Sequence, residues 1–138
     1  MAEGNRITGT ISPGLGEGSA FMSLSWVQKI LRERLGFTPY PATLNLRLDS
    51  EEEVKRWKEI RGRLAGVRIT SPDPSFCAAR CWHALVTTPA GEGTELSGAV
   101  LLPLVEGYPA DKVEFIAAAH VKDALGARDG DRLTLEFL

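Results

Sequence analysis

The hydrophobic pattern alternates along much of the chain, and alternation predicts strands. Successive side chains of a strand point to opposite faces, so a half-buried strand is apolar at every second position. Leu44, Leu46 and Leu48 follow this pattern clearly. The segments predicted as strands, several of them bounded by turns rich in proline and glycine, are residues 6–12, 38–49, 66–71, 75–88, 95–105, 111–118 and 129–138.

Two other segments have apolar residues three and four positions apart, which predicts amphipathic helices. The first covers residues 23–36, where a serine can cap the start and Gly36 can end the helix. The second covers residues 49–64, with acidic residues early and basic residues late, as suits the helix dipole. Two further helical turns are predicted in residues 119–126. Many short strands with few helices between them predict a mainly β fold, a small barrel decorated by helices.

Length and charge limit what the chain can do. Its 138 residues are 43% hydrophobic and 25% charged, which predicts one globular domain over residues 1–138. The 16 basic and 18 acidic residues give a net charge of −2, so no positive field favours nucleic acid or an anionic membrane. No apolar run approaches the ~20 residues that cross a bilayer, and the start lacks a signal-peptide core. We therefore expect a monomeric cytoplasmic protein with neither nucleic-acid nor membrane partners.

Cys77, Cys81 and His83 form a C-x-x-x-C-x-H string that suggests a zinc site. If residues 75–88 form one strand, the two cysteines share a face but stand about 13 Å apart, at ~3.3 Å per residue. One metal ion with sulfur bonds of about 2.3 Å does not bridge that distance. Structural cysteines are therefore the favoured interpretation, and only a helical turn there would restore the zinc site.

Residues 12–18, SPGLGEG, place three glycines around one carboxylate. The sequence Gly-Lys-Ser/Thr does not follow, and the glycine spacing differs from the dinucleotide-binding fingerprint. Taken alone, the segment is either a phosphate-binding loop or a flexible turn.

Other polar residues suggest chemistry, and each has a plainer alternative. Thr43 and Asn45 lie on the same face of a strand roughly 7 Å apart, where they either ligate a hard cation such as Mg²⁺ or face solvent. Glu114 either accepts a proton from a substrate hydroxyl or is simply exposed. His120 and Lys122 begin the late helix, whose first amides either hold a phosphate or form an exposed turn.

Three segments together resemble the archaeal-type CTP-dependent riboflavin kinases. They are GTISPGLGEGSAFMSL, LGFTPYPATLNLRLD and EFIAAAHVKDALGARDGD. The combination of G-L-G-E-G with L-G-F-x-P-Y-P-x-T-L-N roughly twenty residues later is specific, although neither motif is so alone. The resemblance covers nearly the whole chain and is weakest over residues 50–95.

The resemblance implies a fold and an activity. Members of that family fold as a compact six-stranded β-barrel of the cradle-loop type, and they transfer the γ-phosphoryl group of CTP to riboflavin, giving FMN and CDP. By resemblance, Thr43 and Asn45 ligate Mg²⁺, Glu106 and Glu114 contact the flavin, and Glu114 orients or deprotonates its ribityl 5′-hydroxyl. The implied nucleotide contacts are Gly14, Leu15, Gly16, Glu17, Gly18, Ser19, Ala119, His120, Val121 and Lys122.

Three departures from the family pattern bear on this interpretation, and one of them is in the late segment, where Ala118 replaces a proline and His120 and Lys122 stand in place of a Lys/Arg pair. Ala42 stands where the family has a glycine, and it would be strained if that position needs a positive φ or a close approach of the ligand. Glu106 stands where the family has a flavin-binding threonine, which puts a charge in place of a neutral hydroxyl. Two alternatives therefore remain: a nucleotide-dependent kinase acting on another small alcohol, and a non-catalytic module that binds flavin or nucleotide.

Overall fold

The computed structural model describes residues 2–13, 17–88 and 94–138. After a 3-10 helix at Ala2–Asn5, the strands are β1 (Arg6–Ser12), β2 (Leu44–Leu48), β3 (Val67–Ile69), β4 (Ala79–Thr87), β5 (Glu95–Pro103), β6 (Lys112–Ala117) and β7 (Arg132–Phe137). The helices are α1 (Glu17–Met22), α2 (Ser25–Leu35), α3 (Glu51–Arg63) and α4 (Val121–Leu125). Each segment predicted as a strand contains one of these strands. Within the described ranges, no helix is both long enough and apolar enough to cross a membrane.

Six of the strands close into an antiparallel barrel. Their order is β4-β5-β6-β2-β1-β7, and the ring closes because β7 pairs back with β4. One edge of β4 is divided between two partners: its second half, Ala84–Thr87, pairs with β7, and its first half, Ala79–Cys81, pairs with β3. The predicted mainly β barrel is thus confirmed, with β3 as a short seventh strand beside the closed ring.

Apolar side chains fill the barrel and also cover part of its outer face. Phe115 packs inside with residues such as Leu133 and Leu135, and α3 adds Trp57 to the same cluster. Ile116 points the other way and packs in a second cluster with residues of α2 and β5. Strand β6 is therefore buried on both faces from its second residue onward, so a charged residue on it must find its partners within the protein.

Local signals set the ends of the helices. Gly36 and Gly126 end α2 and α4 in the left-handed conformation, with φ angles of 87° and 64°. Ser50 caps α3 by accepting a backbone N–H of the first turn. The serine cap predicted for α2 is wrong, because Leu24 occupies the N-cap without a side-chain hydrogen bond and Ser25 is already helical.

The two cysteines lie in different environments. Cys77 is exposed and precedes β4, whereas Cys81 is buried within that strand, so the expectation that both belong to one strand is wrong. Burial raises the pKa of the Cys81 thiol to about 12. His83 Nε2 lies 3.0 Å from the carbonyl oxygen of Leu35. Among the described residues, no group of three or more His, Cys, Asp or Glu side chains is arranged to hold a metal ion.

Candidate functional site

Pairing between three adjacent strands places two of the predicted site residues directly opposite each other in the sheet. Asn45 in β2 pairs with Glu114 in β6 on one side and with Ser12, the last residue of β1, on the other. Because Leu44 and Leu46 are buried in the core, Asn45 lies on the outer face of the barrel. The glycine-rich segment begins directly after β1, so its start lies one strand away from Asn45.

Glu114 is a buried carboxylate held by two hydroxyl groups. It is only 8% exposed. Thr43 Oγ1 donates to its Oε1 at 3.0 Å, and the Tyr108 hydroxyl donates to its Oε2 at 2.5 Å. Such charge-assisted bonds offset the cost of removing a carboxylate from water. Burial and the contact with Glu114 raise the pKa of Tyr108 well above its usual range, so Tyr108 keeps its proton and remains a donor.

The bond to Glu114 determines what Thr43 can offer to a ligand. A hydroxyl has one proton and two lone pairs, and here the proton is donated to Glu114. The oxygen of Thr43 is therefore left as an acceptor, and Asn45 supplies an amide oxygen two positions further along the chain. Neutral oxygen donors supported by a carboxylate suit a hard cation such as Mg²⁺. The residues present thus fit the predicted metal.

A cleft of about 70 Å³ lies beside Thr43, where two segments distant in sequence meet. Its walls are Tyr40, Ala42, Thr43 and Leu44 on one side and Ala119, His120, Val121 and Lys122 on the other. The Tyr40 backbone N–H donates to the carbonyl oxygen of Ala117 at 2.7 Å, and the Tyr40 ring lies 5.1 Å from the His120 ring. The structure thus brings the late segment next to Thr43, as a shared site requires.

The two basic residues of the late segment each lie next to a carboxylate. Lys122 Nζ lies 2.6 Å from Asp129 Oδ1, and His120 Nδ1 lies 3.0 Å from Asp123 Oδ2. Val121 is buried, so only its backbone is available to a ligand at this position. An anion entering the cleft would therefore compete with Asp129 for the Lys122 ammonium group.

The other predicted site residues fall outside the described part of the chain, in α1, or in the turn between β5 and β6. Gly14, Leu15 and Gly16 lie outside the described residues. Glu17, Gly18 and Ser19 form the first turn of α1, so this part of the expected loop is helical. Glu106 is exposed in the turn between β5 and β6. Ala42 has no positive φ, because no non-glycine residue in the described ranges has one, so the backbone there is not strained in that way.

Sequence reasoning missed Tyr108. It lies in an irregular connection, after Gly107 and before Pro109, where no periodic pattern assigns a direction to a side chain. Its contact with Glu114 depends on how the connection folds back over β6. A Gly-Tyr-Pro turn close to a candidate carboxylate is the only hint that the sequence contains.

Comparison with known proteins assigns the chain to a family. The model named CTP-dep_RFKase, described as domain of unknown function DUF120, matches residues 11–137. The chain belongs to this family. Membership of the CTP-dependent riboflavin kinase family confirms the resemblance seen in the three sequence segments.

Curated relatives agree with the family assignment. One is the riboflavin kinase of Pyrobaculum calidifontis, 37% identical over 131 residues, which are 95% of this chain and 59% of that protein. The riboflavin kinase of Pyrobaculum islandicum is 35% identical over 96% of this chain and 60% of its own length. That of Archaeoglobus fulgidus is 34% identical over 96% of this chain and 54% of its own length. The chain therefore spans between half and two thirds of the length of these relatives.

Proposed function

We propose that this protein is a CTP-dependent riboflavin kinase. The 5′-hydroxyl oxygen of riboflavin attacks the γ-phosphorus of CTP, the bond from that phosphorus to the β–γ bridging oxygen breaks, and FMN and CDP form. The hydroxyl proton passes to a base. The observation that carries the proposal is the hydrogen-bonded pair of Thr43 and Glu114 at the edge of a cleft lined by the late segment.

Thr43 and Asn45 are the proposed ligands of Mg²⁺. When bound, the ion neutralises charge on the transferring phosphoryl group and fixes its orientation. Both ligands are neutral, so they leave most of the ionic charge to the phosphates. Glu114 holds the Thr43 hydroxyl in place, which supports a metal ligand from behind.

Glu114 is the proposed acceptor of the hydroxyl proton. Each of its oxygens accepts one hydrogen bond from the protein, and a carboxylate oxygen has a second lone pair available. A substrate hydroxyl can therefore approach the carboxylate without displacing Thr43. This arrangement also aligns the attacking oxygen, which is most of what phosphoryl transfer asks of a protein.

Residues 14–19 and 119–122 are the proposed nucleotide contacts. The cleft beside Thr43 and the position of Ser12 next to Asn45 support placing both segments near the phosphates. Glycine backbone can approach phosphate oxygens closely, and its N–H groups can bind them. Lys122 is available once Asp129 releases it.

The departures from the family pattern at Ala42 and Glu106 are compatible with the proposal. Ala42 needs no positive φ, so the glycine that the family has there is not a conformational requirement of this chain. Glu106 is exposed, which keeps its charge in water and away from the buried carboxylate of Glu114. Its proposed role is a contact at the rim of the flavin site.

Turnover by matched threonine variants tests the proposal. With riboflavin, CTP and Mg²⁺, FMN should form, and Thr43→Val should lower kcat/KM by about 10–100-fold or more, since even the partners of metal ligands have effects of that size. Thr70→Val makes the same change at an exposed position outside the cleft and should retain activity. Flavin or nucleotide binding without turnover of any alcohol would instead favour a non-catalytic module. Turnover of another alcohol but not riboflavin would favour the second kinase hypothesis.

A further inference from the structure

His120 lines the cleft beside Thr43 and faces an aromatic ring of the opposite wall. Its ring lies 5.1 Å from the ring of Tyr40, measured between centroids. The His120 side chain is 39% exposed, yet its Nδ1 atom is buried. The exposed part of the ring therefore does not include Nδ1, and Nε2 is the ring nitrogen left for a ligand that enters the cleft.

A carboxylate lies beside the buried nitrogen of His120. Asp123 Oδ2 is 3.0 Å from Nδ1. The contact is close without being an aligned hydrogen bond, since Nδ1 has no hydrogen-bond partner in the part of the chain that the structure describes. A hydrogen on Nδ1 faces the negative charge favourably, whereas a lone pair on Nδ1 would be repelled by it. Asp123 therefore favours the forms of the ring that carry hydrogen on Nδ1.

This preference determines what Nε2 offers to a ligand. A neutral imidazole has one N–H donor and one lone pair, and both nitrogens donate only when the ring is protonated. With hydrogen on Nδ1, neutral His120 has a lone pair at Nε2, which repels a phosphate oxygen. Protonated His120 has an N–H donor and a positive charge there, and such groups form short, charge-assisted bonds to phosphate. The two protonation states thus act on an anion in opposite directions.

The surroundings of His120 contain other titratable groups, but of different kinds. In the described chain, those that line the cleft or bond to a residue lining it are Tyr40, Glu114, Lys122, Asp123 and Asp129. Side chains of these four kinds ordinarily keep their charge between about pH 5 and 8, where an imidazole gains or loses a proton. Lys122 already has Asp129 as its partner. His120 is therefore the cation of this segment whose charge varies near neutral pH.

We infer that His120 binds the phosphates of the nucleotide in its protonated form, and that Asp123 is the positioning residue that holds hydrogen on Nδ1. Nucleotide binding near neutral pH then takes up a proton from solvent. The inference rests on the proposed function, because it takes residues 119–122 to contact the nucleotide. A Lys/Arg pair, as the resemblance implies for the family, keeps its charge in this pH range, so the pH dependence is a property of this chain.

Calorimetric titration with CDP and Mg²⁺ tests the inference without requiring turnover. The quantity compared is the affinity at about pH 6 divided by that at about pH 8, because a terminal phosphate also gains a proton near pH 6 and does so with every variant. This ratio should be about tenfold lower in His120→Gln than in the wild type, the effect expected for a hydrogen bond from a charged donor.

Proton uptake provides a second readout in the same titrations. The binding heat of the wild type near neutral pH should change with the ionisation enthalpy of the buffer, and it should change less in His120→Gln. The chain has two histidines, and the other, His83, contacts the carbonyl oxygen of Leu35 outside the cleft. His83→Gln is therefore the matched control and should keep the wild-type ratio and proton uptake.

A second variant covers the case in which His120→Gln does not fold. The Asp123 side chain is 85% exposed, so Asp123→Asn leaves the core untouched. The new amide can donate to Nδ1, which lets neutral His120 carry hydrogen on Nε2. Asp123→Asn should therefore bind CDP more tightly than the wild type at about pH 8, and its affinity ratio should be smaller.

The outcomes separate this inference from the proposed function. The wild-type ratio in folded His120→Gln, or in Asp123→Asn where the first variant does not fold, would overturn the inference and leave the kinase activity standing. Absence of CDP binding by the wild type would overturn the inference as well. CDP binding with the expected pH dependence but without FMN formation would support the inference and refute the proposed kinase activity.

Discussion

Replacing Tyr108 by phenylalanine should destabilise the protein through one hydrogen bond. The change removes only the hydroxyl, and the ring stays in place. Glu114 is 8% exposed, and its Oε2 accepts a 2.5 Å bond from that hydroxyl. Water cannot readily replace a donor at a carboxylate buried to this extent, so Oε2 loses a partner that it retains in the wild type.

The size of the effect follows from the kind of bond. Hydrogen bonds to charged groups contribute about 1.5–3 kcal/mol, so we expect a loss of about 2 kcal/mol in the free energy of unfolding. Unfolding entropies near 2.1 cal/mol/K per residue convert this to a fall in Tm of about 7 °C for a chain of 138 residues.

Thermal unfolding of two tyrosine variants measures the effect. The chain has two tyrosines, and the other, Tyr40, is 41% exposed with no hydrogen bond from its hydroxyl to a described residue. Tyr40→Phe is therefore the control and should unfold within about 2 °C of the wild type, since surface changes are usually within ±0.5 kcal/mol. Equal Tm values for the two variants would refute the reasoning, because they would mean that the bond to Glu114 contributes nothing.

Two further predictions concern packing and cysteine chemistry. Gly98→Ala should lower the free energy of unfolding, measured with denaturant, by about 1–3 kcal/mol, because a Cβ there would lie 2.6 Å from the Phe115 ring. Gly62 occupies an open position in α3, so Gly62→Ala should raise the free energy of unfolding by about 0.5–1 kcal/mol. Equal effects of the two changes would contradict this. At pH 8 a thiol reagent should modify one cysteine of the native protein, the exposed Cys77, since burial raises the pKa of Cys81 to about 12 and keeps that thiol neutral. Modification of Cys81 at the rate of Cys77 would show that β4 opens readily.

Much of the fold could be predicted from local patterns, and its closure could not. Alternation located the segment of each strand, and glycines marked the ends of α2 and α4. The pairing of Ala84 with Phe137 joins residues far apart in sequence, and no local pattern records it. The six-stranded barrel was expected from the number of short strands and, above all, from the family resemblance.

The candidate site was predictable only in part. Thr43, Asn45 and Glu114 lie on or next to regular strands, where alternation shows which side chains share a face. Tyr108 lies in an irregular connection, so its contact with Glu114 had no signal. The roles of the glycine segment and the monomeric state stay predictions.

The central activity proposed for this protein is phosphoryl transfer from CTP to riboflavin. The purified protein should be incubated with riboflavin, Mg²⁺ and each of the four ribonucleoside triphosphates in turn, and FMN should be quantified by chromatography. We predict that CTP supports FMN formation at least about tenfold faster than the other three, a preference worth about 1.4 kcal/mol in transition-state binding. Full recovery of unmodified riboflavin with every nucleotide would contradict the claim.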